Sequence, residues 1–181
     1  LIVNMPPRHT KSEFSSYLLP AWLMGRKPTL KIMQTTHTAE LAFRFGRKVR
    51  NLMNSQEYKA VFEAVELRAD SQAAGRWETS KGGEYFAAGV GGAVTGRGAD
   101  LLIIDDPHSE QDALSPTALE HAYEWYTSGP RQRLQPGGAI VIVMTRWAEN
   151  DLTGKLLRQQ ARDVLADKWE IVEFPALMPD T

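Results

Sequence analysis

Two runs in the chain are apolar without alternation: residues 101–104 (LLII) and 139–144 (AIVIVM). A strand apolar on both faces belongs in a parallel sheet covered by helices on each side. Residues 1–5, 30–33 and 169–174 read as further short strands. Helical spacing appears over residues 11–24 through Phe14, Tyr17, Leu18, Ala21 and Trp22, with Gly25 as a stop. Pro20 lies inside that segment and predicts a kink or an early end. Residues 38–53 predict an amphipathic helix, with Leu41, Ala42, Phe45, Val49 and Leu52 on one side and Arg44, Arg47, Lys48 and Arg50 on the other. A short helix is expected at 58–64. Another starts at Ser115-Pro116 as N-cap and first turn and carries Leu119, Ala122, Tyr123 and Tyr126, and one more runs over 151–165. Residues 65–95 break into short, aromatic, glycine-punctuated pieces, which predict antiparallel hairpins. Strands alternating with helices imply an α/β fold: a mainly parallel sheet with flanking helices and right-handed crossovers.

Composition narrows the classes without choosing among them. At 181 residues the chain suits one domain, and 43% hydrophobic with 24% charged residues is ordinary for a globular protein. A net charge of −1 gives no global positive field that would announce nucleic acid. The absence of cysteine excludes disulfides and thiolate metal sites and fits a reducing compartment. No apolar run reaches transmembrane length, and no signal peptide is recognisable. The chain opens mid-strand without an initiator Met, which reads as a piece of a longer protein.

The chemistry gathers at strand ends. Asp105 and Asp106 follow the first apolar run, at the C-terminal edge where open α/β sheets place ligands, and aspartate oxygens suit a hard cation such as Mg²⁺. The alternative is an Asp-Pro turn whose carboxylates merely cap and solvate. Residues 4–14, NMPPRHTKSEF, give a strand, a tight loop and Lys11-Ser12 opening a helix, which is the setting of a phosphate-binding P-loop. Met5 and Thr10 stand where the pattern G-x-x-x-x-G-K-[ST] has glycines, so a lysine on a solvated first turn remains an alternative. Together the loop and the Asp-ended strand form the two parts of a Mg-nucleotide site, with Asp105 toward Mg²⁺ and Asp106 activating water. Thr145, in Thr145-Arg146-Trp147 at the second apolar run's end, is placed to sense the γ-phosphate, or else marks a plain strand terminus with an exposed Arg. Arg8 is either an internal arginine finger or a loop cation. Arg97, between Gly96 and Gly98, reads as mobile and accessible. The four histidines lack metal-ligand spacing, although an Asp105–His108 pair could contribute to a metal site. Trp22, Trp77, Trp125 and Trp169 are expected in the core.

The series PPRHTKSE, GGEYFAAGVGGAVTGRGADLLIIDDPH, the Trp125-centred helix and VIVMTRWAENDLTGKLL resembles the large terminase subunit of tailed bacteriophages and prophages over nearly the whole chain. The resemblance implies a RecA-like P-loop ATPase of the additional-strand class with a β-hairpin insertion, driving double-stranded DNA into a procapsid. It implies ATP and Mg²⁺ as cofactors, with Arg8, His9, Thr10, Lys11 and Ser12 around the nucleotide and Ser12 and Asp105 on the metal. Asp106, Arg8 and Thr145 are implied as catalytic and coupling residues. The implied partners are DNA, a portal protein and a small terminase subunit, with a ring oligomer on the portal, in the host bacterial cytoplasm and without a membrane. Residues 1–173 would be the ATPase domain and 174–181 the start of a linker toward a nuclease domain that this stretch does not contain. Thr10 departs from the family's glycine, where a side chain crowds phosphate and disfavours a positive φ. Two other readings stay open: a helicase-like P-loop ATPase, and a degenerate prophage remnant that no longer hydrolyses ATP.

Overall fold

The computed structural model describes residues 1–177. Its centre is one eight-stranded sheet in the order β3-β4-β5-β2-β6-β7-β1-β8. The strands are β1 (Ile2–Asn4), β2 (Lys31–Thr36), β3 (Leu67–Ala73), β4 (Arg76–Thr79), β5 (Glu84–Gly89), β6 (Ala99–Asp105), β7 (Leu134–Met144) and β8 (Ile171–Glu173). From β5 across to β8 every pairing is parallel, and only β3–β4 and β4–β5 run antiparallel. The helices are α1 (Leu19–Arg26), α2 (Ala39–Met53), α3 (Gln56–Val61), α4 (Pro116–Ser128) and α5 (Leu152–Arg162).

The unbroken apolar run of β6 is explained by a core on each face. Leu102 and Ile104 join Ile142, Met144, Trp125, Tyr126, Leu152 and Leu156 on the side of α4 and α5. Leu101 and Ile103 join Ile32, Ala21, Met24, Val49, Met53, Trp77 and Tyr85 on the side of α1 and α2. Ile103 and Ile104 are 0% exposed, and burying each such side chain stabilises the fold by about 1.5–3 kcal/mol. β7 lies between β1 and β6, which is the inserted strand that the additional-strand topology requires. The fold is thus α/β, mainly parallel, with helices on both faces.

Several local expectations change. The helix that opens at Lys11 does not end at Pro20. Residues Glu13–Leu18 form a π-helical segment that runs directly into α1, with Leu19 N–H donating to the Phe14 carbonyl. The wider turn just ahead of Pro20 accommodates a residue that lacks an N–H and crowds the preceding turn. Gly25 lies inside α1 rather than after it, because a Cβ there would sit 2.6 Å from the Phe62 ring. The expected antiparallel hairpins are β3–β4 and β4–β5, and β5 also joins the main sheet parallel to β2. Trp77, Trp125 and Trp169 are buried as expected, but Trp22 is 48% exposed, with the Arg26 guanidinium 5.2 Å from its ring. Trp22 borders an apolar groove of about 610 Å³ lined also by Leu1, Val3, Phe14, Leu18 and Phe174. The expected linker begins at Phe174, and its residues 178–181 lie outside the described residues.

Candidate functional site

The loop after β1 turns through two left-handed residues, Arg8 and Thr10, each at φ 62. Left-handed and right-handed residues in succession turn backbone N–H groups toward a common point, as in anion-binding nests. A tight turn spans Pro7 and Arg8, and the loop then bends through His9 and Thr10. Thr10 adopts the left-handed backbone that a glycine would supply, at the cost its β-branched side chain brings there. Its hydroxyl donates to the His9 carbonyl at 2.6 Å, and its own carbonyl accepts from Glu13 and Phe14. Arg8 and His9 are exposed, and the His9 ring is 2.8 Å from the Pro7 carbonyl.

Lys11, in contrast, is buried. Its Nζ donates to Thr145 Oγ1 at 3.1 Å and pairs with Asp106 Oδ2 at 2.8 Å. Asp106 is left-handed, at φ 42, and its Oδ1 accepts from the Thr145 N–H at 2.8 Å. One carboxylate so ties together the loop after β1, the end of β6 and the end of β7. This is possible because β7 is the strand between the other two.

Asp105 is 2% exposed, and Ser16 Oγ donates to its Oδ2 at 2.6 Å. Burial pushes its carboxyl up to about 6, and the neighbouring Asp106 acts in the same direction, while the Ser16 and Ser12 hydroxyls and the Lys11 charge pull it down. Ser16 Oγ in turn accepts from Gln34 Nε2 at 2.9 Å. Asp105 Oδ1 is buried without a hydrogen-bond partner, and the Ser12 hydroxyl lies near enough to the carboxyl to lower its pKa. A free carboxylate oxygen and a hydroxyl are the ligand types that Mg²⁺ takes along with water and phosphate. The residues present fit that ion, which needs no cluster of His, Cys, Asp and Glu side chains; none is found among the described residues.

The structure separates other expected participants from this centre. Arg97 is not free: it pairs with Glu84 at 2.7 Å and its guanidinium lies 4.1 Å from the Phe86 ring centroid. Arg146 turns to Asp151, with Nε 2.9 Å from Oδ2. His108 does not face a metal with Asp105, since its Nε2 accepts from the Leu152 N–H at 3.0 Å. That bond places the ring proton on Nδ1, which is buried without a partner, and burial holds the imidazole below its usual pKa.

Sequence reasoning missed Ser16, Gln34 and Asp151. A glutamine inside an otherwise buried strand was a signal for Gln34. For Asp151 the sign was an Asp three residues ahead of Gly154, the N-cap position of α5. This carboxylate is 0% exposed and accepts from the N–H groups of Trp147, Ala148 and Gly154. Ser16 carried no local signal, because only the π-helical segment aims it at Asp105.

No protein-family profile matches the chain, and no curated protein sequence does. Among solved structures, the crystal structure of the HK97 bacteriophage large terminase is similar, with a TM-score of 0.59 over 94% of this chain at 16% sequence identity. The match covers 34% of that protein, so this chain spans about a third of its length. At that identity the likeness is one of fold.

Proposed function

We propose that this chain is the ATPase domain of a viral DNA-packaging motor, coupling ATP hydrolysis to movement of double-stranded DNA into a procapsid. The observation that carries the reading is the contact of Lys11, which opens the helix after β1, with Asp106 and Thr145 at neighbouring strand ends of a terminase-like sheet, beside the buried Asp105. In this reading the nest of Arg8, His9 and Thr10 holds ATP phosphates together with Lys11, and Ser12 and Asp105 hold Mg²⁺. The ion, when bound, neutralises charge on the β- and γ-phosphates. Asp106 takes the proton of the attacking water, and Arg8 reaches from the exposed loop to the transferring phosphate. Thr145 registers loss of the γ-phosphate through the hydrogen bonds it shares with Lys11 and Asp106.

Residues 1–173 form the ATPase domain and 174–181 begin the linker. DNA, a portal protein and a small terminase subunit are the partners, in a ring assembled on the portal in the host bacterial cytoplasm. No helix among the described residues is long and apolar enough to cross a membrane. The net charge of −1 suits a motor that grips DNA through few phosphate contacts, with a shallow salt dependence. The left-handed Thr10 keeps the loop in shape and speaks against a dead remnant. The direct test is Mg²⁺-dependent ATP hydrolysis with and without duplex DNA. Loss of turnover in both Lys11→Ala and Asp105→Ala is expected, and turnover surviving either change would refute the site.

A further inference from the structure

We infer that Ser16, with its proton directed by Gln34, is the positioning residue that holds Asp105 in its metal-binding orientation. The inference rests on the nucleotide-site reading above and assigns that site a supporting layer. Ser16 and Gln34 are 0% exposed, so neither can exchange its partner for water. A serine hydroxyl has a single proton. Gln34 Nε2 donates to Ser16 Oγ at 2.9 Å, which leaves that proton for Asp105 Oδ2, 2.6 Å away. The chain of bonds is directional: amide to hydroxyl to carboxylate. It engages one carboxylate oxygen and leaves Oδ1, which has no partner, as the free ligand.

Three elements have to agree for this to form. β2 and β6 are adjacent, with Gln34 in register with Ile103 two residues before Asp105. The π-helical segment Glu13–Leu18 carries Ser16, and such segments are rare and often sit at functional sites. The neighbouring Ser15 hydroxyl is turned back onto the Lys11 carbonyl at 2.8 Å, so within the π-helical segment it is Ser16 that reaches Asp105. A hydroxyl placed only to satisfy itself would need no fixed proton direction, whereas metal ligands are oriented in this way by hydrogen bonds from behind.

The test is calorimetric binding of ADP to the 181-residue chain, with Mg²⁺ and with EDTA. The ratio of the two affinities reads the metal's contribution separately from the nucleotide's. Ser16→Ala is expected to lower that ratio by about tenfold to a hundredfold, the usual effect of removing a ligand's supporting hydrogen bond, with ADP affinity in EDTA unchanged. Gln34→Met, which keeps the volume and removes the donor, should lower it in the same direction. It carries the test if Ser16→Ala fails to fold. A wild-type ratio in a folded variant would overturn the inference while leaving the nucleotide site standing. Wild-type ADP binding that is absent, or that ignores Lys11→Ala, would sink the nucleotide reading and this inference with it.

Discussion

Asp106→Asn is expected to tighten nucleotide binding while abolishing hydrolysis. Without nucleotide, the Lys11 ammonium is held by Asp106 Oδ2 at 2.8 Å, so phosphate has to break that ion pair before it can recruit the lysine. A charge-assisted hydrogen bond contributes about 1.5–3 kcal/mol. Here the lysine side chain is 7% exposed but the aspartate is 28% exposed, so solvent screens the pair from one side. That favours a smaller figure, about 1–2 kcal/mol, which converts to about 5–30-fold in affinity. Asparagine isolates the charge cleanly. It retains an oxygen to accept the Thr145 N–H, and it tolerates the left-handed backbone at φ 42. Calorimetric titration of Mg-ADP into wild type, Asp106→Asn and Lys11→Met measures the effect directly. Unchanged or weaker binding by Asp106→Asn would refute the claim that the two side chains restrain each other.

Thr10→Gly should raise stability by up to about 1 kcal/mol in urea unfolding, since relief of a left-handed β-branched residue outweighs the extra entropy of an unfolded glycine. Asp105 has a carboxyl raised to about 6 by burial, so in EDTA its contribution to stability is full below its unfolded value and is lost as pH rises through about 6. The stability of wild type minus that of Asp105→Asn should therefore fall from pH 4 to pH 8, and a flat or rising difference would contradict the burial argument. Asp151→Ala removes the α5 cap and the partner of Arg146 from a wholly buried position, and should destabilise by about 2–4 kcal/mol. A lower urea midpoint with an unchanged m-value is the expected signature.

The strands were legible because β6 and the end of β7 face two cores at once, and burial on both faces erases polar alternation. The helix caps at Thr38, Ser115 and Asp151 follow local chemistry; Ser115 was read as a cap, and the other two were read only as helix starts. Asp105, Asp106 and Thr145 stood out because each sits at a strand end, and Lys11 because it opens a helix after a tight loop, and the structure brings Lys11, Asp106 and Thr145 into contact. Ser16 and Gln34 act from inside elements, across contacts between residues far apart in the chain, and periodicity reports nothing about such pairs. Arg97 misled for a related reason. Flanking glycines suggested freedom, whereas Glu84 and Phe86 on β5 supply the restraint. Pro20 does not end the helix because a π turn ahead of it offers a second way to accommodate it.

That second way sets the phase of one helix against another requirement. Upstream of the π-helical segment the helix must face Lys11 and Ser12 toward the strand ends; downstream it must face Ala21 and Met24 into the core. A regular α-helix turns by about 100° per residue, and the wider π turn absorbs one extra residue locally, so the stretches on either side each keep their own face. Deleting a single residue within Glu13–Leu18 would leave a more regular helix whose two ends keep their faces but which no longer presents Ser16 to Asp105. Expected is an unchanged or higher melting temperature together with a smaller Mg²⁺ contribution to ADP binding. The length of this short segment, rather than its composition, would then be what evolution cannot freely edit.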